Sequence, residues 1–355
     1  MPGVQKQIEE SPLPSSRPRV TAVITAYNAE RYVSRAIDSA LGQTFGPVHV
    51  IVVDDGSSDG TSEVAASYGD GVELIRLPQN SGPAVGRTAG LMECATEFVA
   101  FLDSDDYWRP EFVQETVSFL DAQPEAIAVS TGHSSRDWYG RDSDGPRLDE
   151  TDRAYYETAG ALCPDFYHFW SKYRAVLTGT VMMRTEIAQR TGGQRADLWL
   201  TQDLEFWGYL ATFGRWGFIP QRLFVTDQKA LTPQERLSKF KRRYTFFRNL
   251  EVDGWAERIR LRLAGSPSEA DFERFLGHIA TTIALANAYT FRTQKSYRLA
   301  KQWKHKLDSG LGSGLRYGLY GGRVFWPLVC VALRFREVAK AYRMSLLLRQ
   351  VFRTK

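Results

Sequence analysis

The stretch Val48-His49-Val50-Ile51-Val52-Val53-Asp54-Asp55-Gly56-Ser57-Ser58-Asp59-Gly60 decides the fold. Its first six residues are apolar and β-branched apart from His49, the composition of a strand buried on both faces. The next seven are turn formers, because aspartate and serine side chains bond nearby backbone and glycine tolerates unusual dihedrals. Working outward, residues 20–24 are another β-branched run. A helical face of Tyr32, Val33, Ala36, Ile37, Ala40 and Leu41 follows, with Asn28 as the expected cap and Gly42 as the stop. Downstream, 61–68 suits a short helix, 72–77 a third strand and 82–95 a further helix. Residues 98–102 form a fourth strand, which runs into Asp103-Ser104-Asp105-Asp106. This alternation is that of an α/β protein with a doubly wound, mainly parallel sheet.

Residues 121–175 are less regular, and the polar, Gly/Asp-rich stretch 134–152 is expected to be a mobile loop. Residues 176–184 read as a strand and 198–213 as a helix rich in Leu, Trp and Phe. Beyond about 235 the periodicity is helical, with breaks near 265–267 and 309–314. The chain has 355 residues, 43% of them hydrophobic, which excludes a wholly disordered, collagen-like or disulfide-stapled protein. Cys94, Cys163 and Cys330 are odd in number and far apart, without metal-ligand spacing, and read as reduced core thiols. Residues 1–18 are polar and proline-rich, a flexible leader with no signal-peptide core. The longest apolar run, 324–333, is interrupted by Pro327 and falls short of the roughly 20 residues that span a bilayer.

Two acidic clusters stand at strand ends, 54–60 after the second strand and 103–106 after the fourth. In an open parallel sheet, ligands bind at the carboxyl ends of the strands. Carboxylates gathered there repel one another unless a cation or hydrogen-bond donors compensate them. Their hard oxygens suit Mg²⁺ or Mn²⁺ bridging to a diphosphate. The loop Asn80-Ser81-Gly82-Pro83-Ala84-Val85-Gly86-Arg87 opens the third helix, where backbone amides and Arg87 can meet phosphate oxygens.

Four ordered blocks together resemble the family-2 inverting glycosyltransferases of the GT-A fold. They are Val23-Ile24-Thr25-Ala26-Tyr27-Asn28-Ala29-Glu30; 51–61; Asn80-Ser81-Gly82 with Gly86-Arg87; and Phe101-Leu102-Asp103-Ser104-Asp105-Asp106. A weaker fifth block is Thr201-Gln202-Asp203-Leu204-Glu205-Phe206-Trp207 with Gly217-Phe218-Ile219-Pro220, and the resemblance covers about 20–230. It implies a transferase domain over 19–234. It also implies that Thr25, Tyr27 and Glu30 line a nucleotide pocket, Asp55 reads the base edge, and Arg87 lies over the nucleotide. Asp103 and Ser104 would reach the donor, with Asp103 also on the metal side. Asp105 of the DxD would bind Mn²⁺ or Mg²⁺, and Asp203 would be the general base. The chemistry agrees, since departure of a diphosphate needs its charge stabilised and the attacking hydroxyl must lose a proton. The sequence departs from the family at Thr25 (usually Pro), Thr88 (usually Asn) and Gln202 (usually Glu). Val225-Thr226-Asp227-Gln228 also stands where a His is often found.

Charge is distributed unevenly: 235–355 holds 25 Lys+Arg against 9 Asp+Glu, while 1–234 holds 20 against 32. A basic helical region interleaved with aromatic and aliphatic residues suits the surface of an anionic membrane. The expectation is a cytoplasmic enzyme, peripheral at the inner face of the membrane. It would take a nucleotide-sugar donor, UDP-linked, and a saccharide or lipid-linked acceptor for surface polysaccharide or glycolipid synthesis, with no nucleic-acid partner. Two other readings are a non-catalytic nucleotide-sugar-binding scaffold and a sugar nucleotidyltransferase. The latter is opposed by Tyr27-Asn28-Ala29-Glu30, where a glycine-rich phosphate loop would be needed.

Overall fold

Strand β1 (Val20–Ala26) is buried at every residue, because it lies inside the parallel half of the sheet. It pairs in parallel with β2 (Val48–Asp54) on one side and β4 (Phe98–Asp103) on the other, and β3 (Glu73–Arg76) extends β2. Parallel neighbours need crossovers, supplied by α1 (Val33–Leu41), α2 (Thr61–Ala66) and α3 (Pro83–Glu93). The computed structural model describes residues 17–136, 142–157, 160–198, 201–227, 254–289 and 292–303, with Trp326, Pro327 and Cys330.

After β4 come β5 (Asp106–Trp108), α4 (Phe112–Ala122), β6 (Ala126–Arg136), β7 (Asp142–Gly145), α5 (Glu150–Tyr156), β8 (Ala161–Leu162) and α6 (Phe166–Tyr173). Then follow β9 (Val181–Arg184), α7 (Thr185–Arg190), α8 (Gln202–Leu210) and β10 (Arg215–Asp227). The sheet order is β3-β2-β1-β4-β9-β6-β10-β5, with β7 on β6 and β8 on β10. Direction changes at β9, antiparallel to both β4 and β6, while β10 runs parallel to β6. The longest pairings are parallel, so the expected mainly parallel sheet is observed, with a mixed second half.

Side chains of β1, β2 and β4 alternate between two cores. Ile24, Val50, Val52 and Leu102 pack with α1 and α4 on one face. Val23, Ile51, Val53 and Phe101 pack with α3, α6 and α8 on the other. Three further helices join this second core: α9 (Glu257–Leu263), α10 (Glu269–Tyr289) and α11 (Thr293–Gln302). Trp170 of α6 stacks on Phe275 of α10 with ring centroids 3.8 Å apart. Between α9 and α10 the chain breaks at Gly265, as expected from the sequence. The three cysteines are free and buried.

Three expectations are corrected. Asn28 does not cap α1, whose first turn has no side-chain cap. It adopts a left-handed backbone (φ 49°), accepting the Ser58 N–H at 2.9 Å and donating its own N–H to Ser57 Oγ at 2.9 Å. An Asn there closes the turn after β1 onto the turn after β2. The stretch 134–152 is not simply a loop: the end of β6 and β7 pair antiparallel, from His133–Gly145 to Arg136–Asp142, and α5 begins at Glu150. Residues 121–175 are also more regular than expected, because β6 and α6 are buried by partners distant in sequence. The leader 1–16, Trp199 and most of 309–355 lie outside the described residues.

Helix α3 approaches the sheet through Gly86 and Gly90. A Cβ on Gly90 would lie 2.4 Å from Val23 Cγ1 and 3.1 Å from Val53 Cγ2, and both valines are fully buried. Gly90→Ala is therefore expected to cost about 1–3 kcal/mol by overpacking, outweighing alanine's helix preference of about 1 kcal/mol. The check is a lower urea midpoint at unchanged slope; an unchanged midpoint would mean that the helix has room to lift.

Candidate active site

Because β1, β2 and β4 are parallel and in register, their carboxyl ends come together. Thr25 stands opposite Val53 on β2 and Asp103 on β4. The Ser104 N–H donates to the Thr25 carbonyl at 3.3 Å, and the Asp55 N–H to the Ala26 carbonyl at 2.8 Å. Thr25, Asp55, Asp103 and Ser104 thus share one edge, as the sequence implies.

Asp55 is buried, and its two oxygens accept the backbone N–H groups of Ser81 at 2.7 Å and Gly82 at 2.8 Å. Gly82 has φ 91°, a conformation that glycine adopts at no steric cost, and Pro83 then starts α3. The carboxylate therefore anchors the loop that begins the helix. Burial pushes the Asp55 carboxyl above its ordinary range, the Ser81 and Gly82 amides pull it part of the way back, and Asp54 pushes it up. Ser57 N–H and Ser62 Oγ–H occupy the neighbouring buried Asp54.

One turn into α3, Arg87 is 5% exposed. Its Nη2 meets Asp103 Oδ1 at 2.5 Å and its Nη1 donates to Gln194 Oε1 at 3.2 Å. Asp203 enters from the other end of the sequence, in the first turn of α8, where Oδ1 accepts the Leu204 N–H at 2.8 Å. Burial pushes its carboxyl above the usual carboxylate range; the Arg87 charge pulls it down and Asp103 pushes it up. The expected base therefore lies in the electrostatic field of the Arg87–Asp103 pair.

The remaining candidates stand in the turns that follow β1 and β4 and in β10. Tyr27 is 48% exposed. Glu30 accepts the Gly60 N–H at 3.1 Å, and the Asp105 carbonyl accepts Arg35 Nη2 at 2.6 Å. In β10, Thr226, within the segment where the family often has His, is in register with Asp106. Trp207 is fully buried core.

Gln194 was not legible as a site residue, since nothing in Gly192-Gly193-Gln194 marks it. Its N–H donates to Thr88 Oγ1 at 2.9 Å and the Thr88 hydroxyl returns a bond to its carbonyl at 3.3 Å. Thr88, a departure from the family, thus holds the turn that holds Arg87. Gln202 lines a small recess with Ser81–Ala84, Ala196 and Leu198. Arg87 Nε, Gln194 Nε2 and Gln202 Oε1 are buried without hydrogen-bond partners among the described residues.

Among the described residues no three His, Cys, Asp or Glu side chains gather closely enough to hold a metal ion by themselves. Of the two carboxylates that the resemblance assigns to a metal, Asp103 has Oδ1 on Arg87; carboxylate oxygens are of the hard kind that Mg²⁺ or Mn²⁺ takes together with a ligand's phosphate oxygens. Asp55→Ala is expected to lower stability by about 1–3 kcal/mol, because two buried N–H groups lose their acceptor. The check is urea unfolding, and a midpoint equal to wild type would contradict an anchoring role.

Residues 21–177 match the family described as Glycosyl transferase family 2. The chain is 42% identical over 113 residues to the succinoglycan biosynthesis protein ExoO of Rhizobium meliloti (strain 1021), covering 32% of this chain and 32% of that protein. It is 33% identical over 121 residues to the putative teichuronic acid biosynthesis glycosyltransferase TuaG of Bacillus subtilis (strain 168), covering 33% and 48%. The chain spans about a third to a half of the length of these curated relatives. Among solved structures it is similar to S. aureus TarS 1-349 in complex with UDP-GlcNAc, with a TM-score of 0.59, 17% identity and 92% of each chain covered. It is also similar to the mannosyltransferase PcManGT from Pyrobaculum calidifontis in complex with GDP-Man and Mn²⁺, with a TM-score of 0.51, 19% identity and 93% and 88% covered. At these identities the likeness is one of fold, the GT-A type that the sequence implied.

Proposed function

With residues 21–177 matching the family described as Glycosyl transferase family 2, we propose that the protein is a metal-dependent, inverting glycosyltransferase. It moves a sugar from a nucleoside-diphosphate donor to a hydroxyl of a saccharide or lipid-linked saccharide, in surface polysaccharide or glycolipid synthesis. The observation that carries this reading is that the Arg87–Asp103 pair, closed at 2.5 Å, lies near enough to Asp203 for both charges to act on its carboxyl, although about 100 residues separate them in sequence. A carboxylate to take the hydroxyl proton and a cation to meet the charge on the leaving diphosphate are what one-step displacement uses. Relatives named for succinoglycan and teichuronic acid biosynthesis support the polymer class. The UDP-GlcNAc bound to TarS supports a UDP-linked donor.

In this reading Asp203 takes the proton of the acceptor hydroxyl as its oxygen attacks the anomeric carbon. The bond from that carbon to the diphosphate oxygen breaks, so configuration inverts. Arg87 balances the charge that develops on the diphosphate. Thr25, Tyr27 and Glu30 border the nucleotide, and Asp55 meets the base edge with the lone pairs that Ser81 and Gly82 leave free. Asp103 and Ser104 face the ribose side, and Asp103 and Asp105 would hold the divalent ion. When bound, that ion supplies further neutralisation of the leaving diphosphate.

The binding test is calorimetry with UDP, GDP, dTDP and CDP, with and without Mn²⁺. One nucleotide is expected to bind in the presence of Mn²⁺ and to weaken in Asp105→Ala; no binding in either condition favours a scaffold. Asp203→Asn should keep donor affinity within about twofold while lowering kcat about 10²–10⁴-fold. Equal turnover by this variant would assign the base elsewhere. A base works only when deprotonated, so the rate rises with pH through the pKa of Asp203. Burial raises that value, which puts the acid limb of the kcat profile above the ordinary carboxylate range of about 4. A limb at or below that range would contradict the assignment.

A membrane surface is the proposed location. Among the described residues no helix is long and apolar enough to cross a bilayer. Helix α11 exposes Arg298 and Lys301 and has no acidic residue, which suits an anionic leaflet. Co-sedimentation with phosphatidylglycerol vesicles that is lost at high salt is the expected result. Equal recovery with neutral phosphatidylcholine vesicles would count against it.

A further inference from the structure

We propose that Arg258 of α9, outside the segment that matches the family, is a positioning residue for the base Asp203. The inference rests on the glycosyl-transfer reading above. Helix α8 carries Asp203 in its first turn and Glu205 two residues later, about 200° further round the helix. Fixing Glu205 therefore fixes the opposite face, where Asp203 meets the field of Arg87 and Asp103.

Glu205 is fully buried, and both of its oxygens are taken by Arg258, through Nε on Oε1 and Nη2 on Oε2, the latter at 2.6 Å. The guanidinium lies over the Tyr209 ring, 3.6 Å from its centroid, one further turn along α8. Its Nη1 also donates to the Thr191 carbonyl at 3.4 Å. Thr191 begins the turn whose Gln194 accepts Arg87. One cation thus ties together, from behind, the helix that carries the base and the turn that steadies Arg87. A planar fork can hold two carboxylate oxygens and stack on a ring at once, which an ammonium cannot. A buried carboxylate stripped of its partner is strongly unfavourable, so α8 cannot rotate without disturbing this contact.

The test uses the full chain and the nucleotide sugar, UDP-GlcNAc or GDP-mannose, that binds it. Release of nucleoside diphosphate is measured for wild type, Asp203→Asn, Arg258→Lys and the double variant Glu205→Leu/Arg258→Met. The double variant removes both charges together, so it keeps the fold accessible even where Arg258→Lys unfolds. In folded variants, donor affinity is expected to stay within about twofold while kcat falls at least about tenfold, since small misplacement of a catalytic group is costly. The inference is overturned if kcat of the folded double variant equals that of wild type, or if it falls only in step with donor affinity. An active wild type with an inactive Asp203→Asn keeps the transfer reading in place while that result removes Arg258. A wild type that binds neither nucleotide sugar, or whose Asp203→Asn variant releases nucleoside diphosphate as fast as wild type, removes both.

Discussion

The rest of the structure depends on how closely α3 lies against β1 and β2. Gly86 and Gly90 leave no side chain between the helix and Thr25, Val23 and Val53. That spacing sets two contacts at once. At the start of the helix, the Ser81 and Gly82 amides reach the Asp55 carboxylate, and one turn later Arg87 reaches Asp103. A helix held off by one methyl layer would separate both pairs. The carboxyl ends of β2 and β4 would then keep uncompensated acids in a low-dielectric edge, where desolvation of charge is expensive.

The site is a balance of charge rather than a surplus of either sign. Asp54, Asp55, Asp103 and Asp203 crowd one edge, and within it Arg87 is the buried cation that reaches Asp103 and acts on Asp203. Amides and hydroxyls carry the rest, through Ser81, Gly82, Ser57 and Ser62. Solvation by fixed donors leaves Asp203 with its own backbone neighbour and the Arg87 field, so burial dominates its titration. Carboxylates of one chemical type thereby differ in what they touch: Asp54 and Asp55 hold loops through the amides and hydroxyls they accept, and Asp203 faces the Arg87 charge.

The first four strands were legible because each is short, locally β-branched and closed by turn chemistry, and their helices repeat with the period of a buried face. The strand-end side of the candidate site was legible for the same reason: Thr25 and Asp103 stand at the ends of their strands, Asp55 follows one directly, and Arg87 stands one turn into a helix. Legibility stopped where burial comes from distant partners. Strand β6 is hidden by β9 and β10, and α6 by α10, so neither advertises itself by local pattern. Asn28 reads as a helix cap because a cap and a loop-closing Asn have the same composition; the φ of 49° separates them. Gln194 and Arg258 carry no motif, since their partners are Arg87 and Glu205, 107 and 53 residues away.

This difference in legibility follows the division of the molecule. The matched segment ends at 177, while Gln194, Asp203 and Glu205 come after it and are placed by packing rather than by strand ends. Asp203 rides on a helix wedged among Trp170, Ile259 and the sheet: a Cβ on Gly208 would meet Ile259 Cδ1 at 2.8 Å and Trp170 at 3.2 Å. The orientation of α8 is therefore a property of α6 and α9, whose sequences are free to vary as long as the volume is filled. Short, strand-bound motifs hold the half proposed to bind the donor. The half proposed to carry the base depends on core packing with helices beyond 254, and relatives that share the first half of the domain need not share the geometry of the second.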